Sequence, residues 1–111
     1  MGLQKLLDSQ SALAATTTVD RDEESHGGHI AATFFLDISA ITGTWTCAVQ
    51  LNLNGAVVTV ATAQHTTTGL KILTMDAAFT GDSECIPTVN RIVWTEDVSG
   101  AITADVIAVY G

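Results

Sequence analysis

Apolar and polar residues alternate along much of this chain with a period of two. Over residues 45–53, Trp45, Cys47, Val49, Leu51 and Leu53 fall on one face, and Thr46, Ala48, Gln50 and Asn52 on the other. That is the pattern of a half-buried β-strand. The preceding run, residues 30–38, sets Ile30, Ala32, Phe34, Leu36 and Ile38 on one face; Ala31, Thr33 and Phe35, ahead of Asp37, make a second face that is also poor in charge. Thr42-Gly43-Thr44 punctuates the two runs, and together they predict a core hairpin at the centre of the domain. Val58 of the next strand adds to the dry second face, which predicts packing against another sheet or a subunit interface.

The rest of the chain repeats the theme. Residues 12–19 read as a small, Thr-rich first strand, and residues 20–29 as an exposed polar loop in which Gly27-Gly28 frees the backbone to turn. Asn54-Gly55 is the strongest hairpin signal, joining the central strand to a strand over residues 56–63. Further strands are expected over residues 70–75, 90–96 and 102–110, with an irregular stretch at 76–89 and a turn at Ser99-Gly100. On the last strand Ile102, Ala104, Val106 and Ala108 share a face. About seven or eight short strands with regular punctuation predict an all-β fold, an antiparallel β-sandwich or jelly roll. Residues 1–11 carry Leu3, Leu6 and Leu7 at helical spacing and predict a short helix, either a frayed end or an arm that orders on a partner. The expected division is an N-terminal arm, 1–11, and a β-sandwich domain, 12–111.

Composition sharpens this picture. A chain of 111 residues holds one domain with a core; at 47% hydrophobic and 14% charged, it has apolar surface to spare, which points to a protein partner. Four basic residues against twelve acidic ones give a net charge of −8, which disfavours nucleic acid and anionic membrane surfaces and suits a basic protein surface. Two cysteines make no disulfide framework: Cys47 reads as a buried small hydrophobe, with a Cys47–Cys85 bridge left open. Residues 1–14 lack the apolar core of a secretion signal, Leu6 stands where a myristoylation signal needs Ser or Thr, and no run is long enough to span a bilayer. The protein is therefore expected in the cytosol of the cell that makes it.

Candidate chemistry is thin. Asp20, Asp22, Glu23, Glu24, His26 and His29 gather metal-ligating types without a fixed spacing, and so do Asp76, Asp82 and Glu84. No serine sits in a nucleophile elbow, and the histidines fall in loops. Trp45 and Trp94 are candidate sugar platforms, but each shares a face with core residues, so packing is the better expectation. A non-enzymatic protein with no cofactor and no metal is expected.

Several runs carry a resemblance. Ser11-Ala12 leads into the Thr-rich strand and then a polar loop ending Gly28-His29. Next comes Phe35-Leu36-Asp37-Ile38-Ser39-Ala40-Ile41-Thr42-Gly43-Thr44. Later, Pro87 precedes Arg91-Ile92-Val93-Trp94, and Ser99-Gly100-Ala101-Ile102-Thr103 opens the last strand. This order resembles the small β-sandwich virion structural proteins of tailed bacteriophages. The chain departs from that pattern at Asn54-Gly55, a compact hairpin where related chains carry a longer segment, which favours packing over adhesion. The resemblance implies a capsid decoration, or cement, protein. It would sit on the virion's capsid surface after assembly in the host cytoplasm, form a homo-oligomer, a trimer, and bind the major capsid protein. Leu3, Leu6, Leu7 and Phe35 are the expected partner-binding residues. A neck or tail component, or a carbohydrate-binding module on the virion, is the alternative.

Overall fold

In a computed structural model, residues 3–21, 32–79 and 88–111 are described. They form nine strands: β1 (Leu3–Leu13), β2 (Thr17–Asp20), β3 (Ala32–Ile41), β4 (Thr44–Leu53), β5 (Ala56–His65), β6 (Gly69–Ile72), β7 (Thr74–Met75), β8 (Arg91–Val98) and β9 (Ile102–Tyr110). One short 3-10 turn, Ala77–Phe79, follows β7. The strands make two antiparallel sheets, ordered β1-β9-β3-β6 and β2-β8-β4-β5-β7. Packed face to face they form a β-sandwich, the expected class. No helix among the described residues is long and apolar enough to cross a membrane.

The alternation on β3, β4, β8 and β9 does what it predicts. Phe34, Leu36 and Ile38 from the first sheet meet Trp45, Cys47, Val49, Ile92 and Trp94 from the second, all buried. Phe34 also stands edge-on to Tyr110, with ring centroids 6.1 Å apart and planes at 89°, a favoured aromatic geometry. Both tryptophans lie in the core, at 1% and 0% exposure, so neither is a surface platform. Cys47 is a free, buried thiol. Burial, and secondarily the charge of Asp8, pushes its pKa far up. Cys85 lies outside the described residues.

The expected hairpin over residues 30–53 is not a hairpin. β3 pairs with β9 and β6, while β4 pairs with β8 and β5, so the two runs face one another across the core. Thr42-Gly43 is an arch between sheets, and Ser99-Gly100 is a second arch joining β8 to β9. The two arches lock together. Thr42 N–H donates to Ala101 O at 2.8 Å, and Ala101 N–H donates to the Thr42 hydroxyl at 2.9 Å. A Cβ on Gly43, whose φ is +75°, would meet Val98 O at 2.3 Å, and one on Gly100 would meet Thr42 O at 2.0 Å. Both positions exclude any side chain.

Two other expected strands divide between the sheets. The run 12–19 is broken after Leu13, where the chain leaves β1 and enters β2 in the second sheet. The run 70–75 crosses from β6 to β7 at Leu73, which is 3% exposed and donates its N–H to Phe34 O at 2.8 Å.

The segment expected as a helical arm is a strand. β1 pairs with β9 from Leu3↔Tyr110 to Leu13↔Ile102, with a register shift between Leu6 and Asp8. That shift is a bulge, one extra residue on β1, and it sets Leu7 and Asp8 on the same side of the strand. Ordinary alternation ahead of it turns Leu6 outward and Leu7 inward, and adjacent leucines on the two faces imitate helical spacing. Leu7 is fully buried and belongs to the core. Asp8 then lies at the sandwich edge and accepts from Trp94 Nε1 at 2.7 Å and from Gln10 Nε2 at 3.0 Å. Residues 3–11 are thus part of the sandwich.

Candidate partner-binding face

Strand register brings an apolar row together on the outer face of the β1-β9-β3-β6 sheet. Leu6 lies opposite Ile107, Ile107 opposite Phe35, and Phe35 opposite Ile72, so the row crosses all four strands. Leu6 is 54% exposed and Ile72 63%; Phe35 and Ile107 are half-buried. On one side runs Gln4–Val109–Thr33; on the other runs Ser9–Asp105–Asp37–Leu70. Gln4, Phe35, Leu70, Ile107 and Val109 line a shallow depression of about 200 Å³ in this face.

The outer face of the other sheet is its opposite. Thr46, Ala48 and Gln50 of β4 stand across from Gln64, Thr62 and Thr59 of β5. Gln50 Nε2 donates to the Thr59 hydroxyl at 3.1 Å, and the Asp97 carboxylate accepts from both Thr46 and Gln64. Polar side chains that satisfy one another and water make an ordinary solvent face. A sandwich with one wet and one dry outer face is asymmetric, and the dry face is the candidate site.

Charge on the dry face is confined to one row. Asp37 and Asp105 lie directly opposite each other, an unfavourable like-charge pair, and the Ser9 hydroxyl donates to Asp105. Two of the described cations are engaged with other groups: Lys71 Nζ donates to Thr67 at 2.8 Å and Arg91 pairs with Asp20 at 2.7 Å. A partner bringing Arg or Lys beside apolar side chains complements the arrangement.

Of the four expected contact residues, two reach this face. Leu6 and Phe35 do; Leu7 does not, because strand alternation turns it into the core. Leu3 pairs through its backbone with Tyr110, and its side chain lies outside what is described. Leu70, Ile72, Ile107 and Val109 were missing from the expectation. The signal for two of them is Val106-Ile107-Ala108-Val109, four apolar residues in succession, which dries both faces of β9.

Among the described residues no group of three or more His, Cys, Asp and Glu side chains converges on a metal position. Asp22, Glu23, Glu24, His26, His29, Asp82 and Glu84 lie outside the described residues, and Asp20 is engaged with Arg91. Comparison with protein-family models, curated proteins and solved structures found no match to this chain.

One titratable group elsewhere has a consequence for stability. His65 lies across from Trp45, and its Nε2 is buried without a hydrogen-bond partner. Burial first, and the charge of Lys71 second, hold its pKa below the ordinary value. The fold accepts the neutral ring, so on acidification the unfolded chain takes up the proton first. Stability is expected to start falling once pH drops below about 6.5. His65→Gln is expected to remove that early loss. Urea midpoints from about pH 8 down to about pH 5 check it.

Proposed function

We propose that this protein is a non-enzymatic capsid decoration protein of a tailed bacteriophage, which binds the major capsid protein through the outer face of the β1-β9-β3-β6 sheet. The observation that carries the reading is the unbroken row Leu6–Ile107–Phe35–Ile72 on a face that a monomer in water would keep polar. The resemblance of the Phe35–Thr44 and Ser99–Thr103 runs supplies the setting. Burying a large apolar side chain contributes about 1.5–3 kcal/mol, so a four-residue row can anchor a contact once association costs are met. Asp37 and Asp105 favour a partner with a basic rim. The protein is then a clamp on the outside of the shell, and it has no reaction to perform.

Pelleting with purified particles tests this. Wild-type protein is expected to bind shells stripped of it, and Leu6→Lys/Ile72→Lys is expected to lose at least tenfold in affinity, about 1.4 kcal/mol or more. Because both side chains are exposed, the variant is expected to keep the wild-type Tm within a few degrees. Equal binding by a folded variant rejects this face as the docking surface.

A further inference from the structure

The β4–β5 hairpin outruns its neighbours. β8 pairs with β4 only as far as Gln50↔Arg91, and β7 pairs with β5 only at Ala61 and Thr62. Asn90 adds one rung: its Nδ2 donates to Asn52 O at 2.9 Å, and its Oδ1 accepts from Asn52 N–H at 2.7 Å. Beyond it, among the described residues, the tip is a two-stranded ribbon turning at Asn54 and Gly55, both with positive φ, as a tight hairpin requires. A ribbon of two strands has little stability of its own in water.

Its side chains do not suit water either. Val49 and Ala61 point into the core, and alternation returns the pairs Leu51↔Val58 and Leu53↔Ala56 to that same side. The core face of the second sheet therefore continues onto the ribbon, where Leu53 is 55% and Val58 46% exposed. Val57, on the opposite side, is 42% exposed. Natural sheets protect a projecting edge with charge or proline, and this one has neither.

Charge selects the occupant. From Ile38 to Leu70 the chain contains no Asp, Glu, Lys or Arg, although its net charge is −8. Two copies repel over most of their surface, and the hairpin is a long uncharged stretch where they can touch without opposing like charges. The dry face of the first sheet is unsuited to this, because Asp37 and Asp105 would meet acidic or apolar surface. We propose that the hairpin tip is where copies of this chain associate, with Leu51, Leu53 and Val58 of one copy packing against the hairpin of the next. The contact is separate from the capsid-binding face.

The purified protein alone, at high micromolar concentration in sedimentation equilibrium, tests it. The wild-type mass is expected to be a whole multiple of the 11.6 kDa chain. Leu53→Lys/Val58→Lys is expected to sediment as a single chain with an unchanged far-UV spectrum, and Ile72→Lys to keep the wild-type mass. Three results overturn the inference: a wild-type monomer, an unchanged mass in the hairpin variant, or dissociation caused by Ile72→Lys. A wild-type monomer with slow amide exchange at the hairpin would assign that cover to the chain's own residues. No particle enters the experiment, so its failure leaves the capsid-binding reading to stand or fall by pelleting.

Discussion

Gly100→Ala is expected to remove most of the stability of the sandwich. The added methyl would lie 2.0 Å from Thr42 O, 2.3 Å from Thr42 C and 2.7 Å from Gly43 N. All three are backbone atoms, so no rotamer change makes room. The two arches would have to separate, breaking the reciprocal hydrogen bonds between Thr42 and Ala101 and tilting β4 and β9 away from their packing. Forced overpacking costs about 1–3 kcal/mol where side chains can shift, and more where they cannot. A loss of about 3–5 kcal/mol is expected here, a drop in Tm on the order of 20 °C. Gly55→Ala is the control. It has nothing within 4 Å, so only its φ of +96° opposes the methyl, and about 1–2 kcal/mol is expected. Thermal unfolding of the two variants side by side reads the difference. Equal, small shifts would show that the arches are not interlocked.

Deleting residues 1–11 is expected to prevent folding. β1 supplies Leu7 to the core and the Asp8 carboxylate to Trp94, and it covers one edge of β9 along its length. Truncating a buried leucine costs about 2–5 kcal/mol, and a lost hydrogen bond to a charged group about 1.5–3 kcal/mol. With the ladder to β9 also gone, the loss is comparable with the entire stability of an average domain, about 5–15 kcal/mol. The truncated chain is expected to show no cooperative thermal transition and no near-UV signal from its tryptophans. A transition close to the wild-type Tm would instead make the segment a dispensable arm.

Which side of each strand faces inward was legible from the chain; which strands pair was not. A period of two tells Trp45 from Thr46 but is silent about the neighbour across the ladder. Residues 30–41 and 44–53 therefore read as a hairpin, although a positive-φ glycine at position 43 closes an arch equally well. Leu6-Leu7 was misread because a helix and a strand that is apolar on both faces each put adjacent apolar residues to use. The run 70–75 hid its crossover at Leu73 because no proline or glycine marks it. The candidate face was half visible: Phe35 announced itself through its dry surroundings, whereas nothing in the run 70–75 told which sheet, or which face, Leu70 and Ile72 belong to.

The runs that carry the resemblance gain a physical reading from the same joint. Thr42-Gly43 and Ser99-Gly100 are the residues whose backbones interlock, and Ile92 and Trp94 are core. Such motifs preserve an architecture. The functional assignment therefore leans on the surface, on one polar outer face, one apolar outer face with an acidic row, and an uncharged projecting hairpin.

The orientation of the sandwich in a density map of the intact particle tests the central claim most directly. Copies are expected on the outside of the shell, with the outer face of β1-β9-β3-β6 turned toward the major capsid protein and Phe35 and Ile72 buried beneath it. Copies whose Leu6–Ile107–Phe35–Ile72 row faces solvent, or a shell without the protein, would contradict it.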